Sequence, residues 1–267
     1  MKKINQKIKI LDCTLRDGGY YNKWDFDNHL VKNYLEGIRN SNIDFVEIGF
    51  RSPPKNTFMG PYIYSTDEFL EKLKIPEDVS IAVMINANEY IGESDKETLR
   101  NITSQFKESK YSLVEMVRIA INYDKYSEAL ILAETLKRLG YKIGFNLMQS
   151  HQKSNFSYIQ TCKSIEQSGT IDILYFADSL GGMEPKEVKN ISSILKSNFS
   201  NSIGFHPHDN KSMALINTLT AIENGVLWCD TTILGMGRGA GNLGTETLLL
   251  EAENRKIHNG KSKYLNN

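Results

Sequence analysis

The chain has 267 residues, enough to bury roughly three quarters of its unfolded surface without a disulfide or metal staple. Its 32 Lys and Arg balance 32 Asp and Glu, which removes the electrostatic ground for a nucleic-acid or anionic-membrane partner. With 40% apolar and 24% charged residues, the composition is that of an ordinary globular domain and not of a disordered or fibrous chain.

The opening MKKINQKIKI is basic but lacks the apolar run of a signal peptide, and no segment supplies the ~20 apolar residues of a membrane span. Cys13, Cys162 and Cys229 are odd in number and far apart, so they are expected as packed thiols in a reducing, cytoplasmic compartment.

Eight short apolar runs are expected as strands, at 8–12, 45–49, 80–85, 114–120, 142–147, 171–177, 202–206 and 227–233. They are continuously apolar rather than alternating, as parallel strands covered on both faces should be. Helical patterns lie between them. Phe26, Leu30, Val31, Tyr34, Leu35 and Ile38 share one helical face, and 126–139 ends at Gly140 behind Lys137 and Arg138. Pro185 suits a first helical turn, and Asn210 is expected to cap the helix that follows the seventh strand. Eight strand–helix alternations predict a (β/α)8 TIM barrel in a single domain over 1–267, with the barrel at about 8–250. A doubly wound sheet fits less well, because no GxGxxG follows the first strand.

In such a barrel functional groups gather at the C-terminal strand ends. Reading those ends gives Arg16 and Asp17, then Glu47 and Arg51, Asn86, Arg118, Asn146, Asp178, His206 with His208, and the glycine-rich 235–242. In Gly204-Phe205-His206-Pro207-His208 the two imidazoles are two residues apart and point to one face of a strand. Spacing alone leaves a metal pair and two carbonyl-bonded histidines both open. Asp17 offers a carboxylate from the first strand end, and Asn242 an amide oxygen from the last. Taken alone, Arg16 and Asp17 read as an ion pair closing a loop, with Gly18 and Gly19 as turn residues.

Five stretches in order, LDCTLRDGG at 11–19, VEIGF at 46–50, FADSLGGMEP at 176–185, GFHPHDN at 204–210 and DTTILGMGRGAGNLGTE at 230–246, resemble the DRE-TIM metallolyase superfamily. That group includes 4-hydroxy-2-oxovalerate aldolase, hydroxymethylglutaryl-CoA lyase, isopropylmalate synthase and homocitrate synthase. The resemblance implies a barrel with one divalent ion, Mn2+, Mg2+ or Co2+, on Asp17, His206 and His208, with Asn242 as a further ligand. It implies that Arg16 stabilises an enolate, that Glu47 is the acidic residue of the signature, and that Asp178 stands at the strand 6 Asp-Thr-x-Gly pattern, with Ser179 in place of the threonine. Arg51, Asn146 and Asp178 are expected to contact substrate.

The stretch GFNLMQ at 144–149 resembles the hydroxy-oxovalerate aldolase branch. The partners implied are therefore a small 2-oxo acid and an aldehyde, reacting through a pyruvate enolate, in a chain that could form homo-oligomers. The dehydrogenase-docking domain of the degradative aldolase is not recognised after the barrel, so no dehydrogenase partner is expected. Where that aldolase has a catalytic histidine, this chain has Tyr20, which needs a metal or cationic neighbours to act as a base. The alternatives are an acyl-CoA-dependent Claisen condensation and a non-catalytic barrel that serves as a binding partner. An amidohydrolase is set aside, because its HxH belongs to the first strand.

Overall fold

The structure, a computed structural model, describes residues 7–265. Eight parallel strands close on themselves in sequence order: β1 (Lys9–Asp12), β2 (Phe45–Phe50), β3 (Ser80–Asn86), β4 (Val114–Asn122), β5 (Lys142–Met148), β6 (Ile173–Asp178), β7 (Ser202–Pro207) and β8 (Trp228–Thr231). The closing pair places Lys9 to Asp12 beside Trp228 to Thr231. Helices α1 (Thr14–Asn22), α2 (Asn28–Asn40), α3 (Asp67–Lys72), α4 (Asp95–Thr103), α5 (Leu130–Arg138), α6 (Asn155–Ser168), α7 (Pro185–Asn198), α8 (Ala214–Glu223) and α9 (Thr245–Arg255) cover the outside. This is the (β/α)8 barrel expected from the sequence.

Alternation along the strands sorts the buried side chains into two sets. Val46, Ile48, Val83, Ile119, Phe145, Phe176 and Phe205 face the helices and join the main core. Leu11, Cys13, Ala82, Met116, Ile173, Tyr175 and Trp228 fill the barrel itself. Lys142 lies across the Trp228 ring at 4.7 Å and near the Phe45 ring at 5.8 Å, closing the N-terminal end with its alkyl stem and charge.

Three local expectations need correction. The Arg16–Gly19 stretch is not a loop but part of α1, which begins one residue past β1. Asp12 makes this possible by accepting the Thr14 amide at 2.9 Å, the Tyr34 hydroxyl at 2.6 Å and the Thr245 hydroxyl at 2.6 Å. Asn210 does not cap the helix after β7. That helix starts at Ala214, whose amide donates to Asp209 Oδ1 at 2.8 Å, while Asn210 packs against Gly181. The last strand stops at Thr231, and the chain then turns through Ile233–Gly235, with Leu234 at φ 53°.

Below the barrel, Asp44 ties β1 to the segment after α9. Its carboxylate accepts the Ile10 amide at 2.8 Å and Lys9 Nζ at 2.6 Å, and lies 2.8 Å from His258 Nε2. Burial pushes this carboxyl up, but the bonds from His258, Lys9 and Ile10 outweigh it, so it lies below the usual carboxylate range. A depressed carboxylate stabilises the fold above its unfolded pKa and loses that contribution as pH falls through the folded value. Asp44→Ala is expected to cost about 1–3 kcal/mol at pH 7 in urea unfolding. The gap from the parent should narrow below about pH 4; a gap constant down to pH 3 would contradict this assignment.

Candidate active site

The barrel mouth is organised around a carboxylate held between two guanidiniums. Glu47, fully buried on β2, accepts Arg16 Nε at 2.6 Å on one oxygen and Arg118 Nη1 at 3.0 Å on the other. Arg118 reaches up from β4, stacks 4.2 Å from the Tyr175 ring and donates through Nη2 to Asp230 Oδ2. The same Asp230 oxygen lies 2.8 Å from His206 Nδ1. On the other side Arg16 Nη1 donates to Asp17 Oδ1, and Asp17 Oδ2 faces His206 Nε2 at 3.9 Å. The chain of contacts returns to its start: Asp17, Arg16, Glu47, Arg118, Asp230, His206.

Small residues make room for it. A Cβ on Gly144 would come 2.9 Å from Arg118 Cγ, and one on Gly204 would overlap the Tyr175 ring. On α1 a Cβ at Gly19 would overlap the Trp24 indole, whose Nε1 donates to the Arg16 carbonyl at 2.9 Å. Gly18 and Gly19 therefore serve close packing, not a turn.

The electrostatics prepare the ligand atoms. Burial opposes the charge on Asp17, but Arg16, helped by His206 and His208, holds its carboxyl below the usual range. Burial pushes both imidazoles down, His206 far down, so they are neutral at pH 7. Because a carboxylate oxygen only accepts, the His206 tautomer that bonds Asp230 carries its proton on Nδ1, which leaves the Nε2 lone pair free on the side of Asp17. Burial lifts the Asp230 carboxyl, and Arg118 opposes that rise.

The Asp17–His206 pair fits a divalent cation, whereas His208 belongs to no group of three among the described His, Cys, Asp and Glu residues whose ligand atoms all lie within 4.8 Å of one another. Two ligands each ~2.1 Å from one ion are at most ~4.2 Å apart, and the 3.9 Å between Asp17 Oδ2 and His206 Nε2 meets that limit. Asn242 donates through Nδ2 to Asp17 Oδ2 at 2.7 Å, while its buried Oδ1 has no partner among the described residues. His208 bridges to Asn242 through the backbone, and its ring stands edge-on to His206 at 5.2 Å. Three carboxylates face two guanidiniums in the contact ring, an acidic excess that a cation would offset.

Arg16, Asp17, Glu47, His206, His208 and Asn242 are thus brought together. Asn146 is buried on β5, in line with Ala120 and Tyr175 on the neighbouring strands, with an unpartnered Oδ1. Tyr20 stands on the rim, 41% exposed, with the Arg238 guanidinium 4.7 Å above its ring. Two expected substrate contacts lie elsewhere. Arg51 is turned out of the barrel and bonds the Ser65 carbonyl at 2.8 and 3.1 Å and Asp67 at 3.0 Å, because a bulge between Glu47 and Gly49 shifts the alternation of β2 by one residue. Asp178 also faces outward and accepts the Gly182 and Met183 amides at 2.9 and 3.0 Å, so it shapes the loop before α7.

Asp230 was missed, although it shares a strand face with Trp228 and so belongs inside the barrel. Cys13, expected from the sequence as a packed thiol, has closer neighbours than that. It lies with His206 and Asp230 in a buried group whose ligand atoms are within 4.8 Å of one another, and it donates to the Thr231 carbonyl at 3.3 Å. Burial and the nearby carboxylates push this thiol far up.

The chain is similar to known proteins over nearly its whole length. The family model described as HMGL-like matches residues 7–264. A 4-hydroxy-2-oxovalerate aldolase from Geobacillus thermodenitrificans is 30% identical over 264 residues, spanning 96% of this chain and 72% of the relative. An oxaloacetate decarboxylase from Mycobacterium tuberculosis is 25% identical over 247 residues, covering 92% of this chain and 70% of that protein. Among solved structures, the N-terminal domain of a Bacteroides vulgatus protein provisionally assigned as an aldolase superposes with a TM-score of 0.84 at 37% identity. It covers 97% of this chain and 84% of that one.

Removing Glu47 would leave two buried guanidiniums without their shared carboxylate. Glu47→Leu is expected to destabilise the protein by about 3–5 kcal/mol in urea unfolding. A cost below about 1 kcal/mol would show that the network does not hold the mouth together.

Proposed function

Because the chain belongs to the HMGL-like family, we propose that it is a carbon–carbon lyase of the aldolase type, acting beside the carbonyl of a 2-oxo acid with the aid of a divalent metal ion. The observation that carries this reading is the side-by-side placement of Asp17 and His206 with Arg16, whose Nε and Nη1 are committed to Glu47 and Asp17. Relatives named as an aldolase and as an oxaloacetate decarboxylase support it. By elementary chemistry, both reactions leave an electron pair on the carbon next to a 2-oxo group.

Asp17, His206, His208 and Asn242 would hold the ion. A divalent cation there supplies Lewis-acid charge to the oxygens of the 2-oxo acid. Arg16 supplies the protein's own part: its Nη2 is left to donate to the oxygen on which negative charge develops. Glu47 and Asp17 hold the guanidinium in place beforehand, so no reorganisation accompanies the reaction. Asn146 offers its unpartnered amide oxygen to the substrate from β5.

In the cleavage direction, the proton leaves the hydroxyl next to the breaking bond. The carbon–carbon bond then opens to an aldehyde and an enolate, and a proton is returned to the enolate carbon. On this reading Tyr20, on the rim beneath the Arg238 guanidinium, takes the first proton, directly or through water.

Half of this reaction can be observed without knowing the aldehyde. With Mn2+, the protein is expected to exchange the methyl protons of pyruvate for solvent deuterium, followed by NMR. Chelation should abolish the exchange and Mn2+, Mg2+ or Co2+ should restore it, whereas Asp17→Ala and His206→Ala should each lower the rate by roughly 100-fold or more. Full exchange in the chelated protein, or in either variant, would overturn the metal assignment.

A further inference from the structure

Cys13 is the single residue between β1 and α1, and no step of the proposed reaction uses it. It stands one helical turn before Asp17, whose amide donates to the Cys13 carbonyl at 2.9 Å, so the two side chains lie on one face. The thiol is fully buried, with Sγ 3.5 Å from Asp17 Oδ2 and 3.3 Å from the Thr231 carbonyl oxygen. Among the described residues, Cys13, His206 and Asp230 are the one set of three that brings a sulfur, a ring nitrogen and a carboxylate oxygen within 4.8 Å of one another.

A second observation comes from Asp230. Its Oδ2 is shared by Arg118 Nη2 and His206 Nδ1, whereas its Oδ1 is buried with no partner among the described residues. A carboxylate with one oxygen on a guanidinium can hold a cation on the other, much as Glu47 serves two arginines. An ion needs no cavity, because its ligands enclose it. Sulfur binds a zinc-sized ion at ~2.3 Å and nitrogen or oxygen at ~2.1 Å, so a sulfur and a nitrogen on one ion stand at most ~4.4 Å apart. Small side-chain movements bring the set within that span.

Charge points to the same occupant. Asp17, Glu47 and Asp230 face only Arg16 and Arg118. A thiolate at Cys13 would add a second uncompensated negative charge, and two such charges match one divalent cation. Mg2+ and Mn2+ favour oxygen ligands, whereas sulfur with imidazole favours Zn2+.

We propose that Cys13, His206 and Asp230 form a thiophilic cation site beside the Asp17–His206 pair, which holds Zn2+ through sulfur and competes, through the shared His206, with Mn2+ or Mg2+. As the sulfur–metal bond forms, the thiol proton leaves to solvent. The inference rests on the ion-binding reading above and adds to it a sulfur ligand and the class of cation that ligand selects.

Co2+ is the optical probe for Zn2+, because thiolate ligation gives it a charge-transfer band in the near ultraviolet. One equivalent of Co2+ added to the chelator-treated protein is expected to produce that band in the parent and in Cys162→Ser and Cys229→Ser. Neither Cys13→Ser nor Cys13→Ala should show it. Zn2+ affinity, read by competition with a chromophoric chelator, is expected to fall about 100-fold or more in Cys13→Ser. Mn2+ affinity, read by electron paramagnetic resonance, should stay within about 3-fold of the parent. The parent spectrum decides the matter even if neither Cys13 variant folds. Co2+ and Mn2+ bound by the parent without a sulfur band would overturn this inference alone, as would a band that survives in a folded Cys13 variant. Failure of the parent to bind any of these ions would overturn the ion-binding reading and this inference with it.

Discussion

Everything at the mouth depends on one buried carboxylate shared by two arginines. Glu47 has no access to solvent and meets Arg16 on one oxygen and Arg118 on the other. Isolated buried charges are costly, and ion pairs in a dry interior stabilise only when each charge is fully engaged. Glu47 satisfies that condition twice, and Arg118 passes the constraint on to Asp230 and so to the His206 ring. The imidazole orientation on β7 is therefore set through three other strands, and the guanidinium orientation on α1 through β2. A ligand arriving at Asp17 and His206 meets groups whose geometry is already fixed, which is the arrangement that electrostatic catalysis requires.

The rest of the fold supplies the space and the supports. Gly144 and Gly204 let Arg118 and Tyr175 occupy the barrel interior where larger residues would collide. Asp12, held by Tyr34 and Thr245, starts α1 directly at the strand end, so Arg16 and Asp17 face inward from the first helical turn. Thr14 ties the same turn to the loop after β8 by accepting the Ile233 amide at 2.7 Å. That loop carries Asn242 to Asp17. The site thus joins the first and last strands of the barrel.

The sequence made the fold and the pairing of the two histidines on one strand legible because both rest on short-range rules. Continuous apolar runs separated by helical patterns point to parallel strands, and residues two apart on a strand share a face, which placed His206 with His208. The failures come from rules that need neighbours. Arg51 counts as inward by simple alternation from Glu47, and only the bulge visible in the pairing of β2 with β3 turns it outward. Asp178 could have been placed, since Ile173, Tyr175 and Ala177 take the inward positions of β6 and leave it the outward one. Asp230 sits beside His206 across two strands, a proximity that no local spacing contains. The helical start of α1 was hidden by its paired glycines, which read as a turn and serve close packing against Trp24 and Met236.

On the proposed reading, Asp230 orients His206 toward an ion shared with Asp17. Electron paramagnetic resonance of Mn2+ titrated into the chelator-treated protein tests it most directly, with Asp230→Asn as the comparison. The parent should bind one ion per chain, and the variant, still folded by circular dichroism, should bind roughly 10–100-fold more weakly. Equal affinity in a folded variant would contradict the role of Asp230, and absence of Mn2+ binding by the parent would contradict the ion site itself.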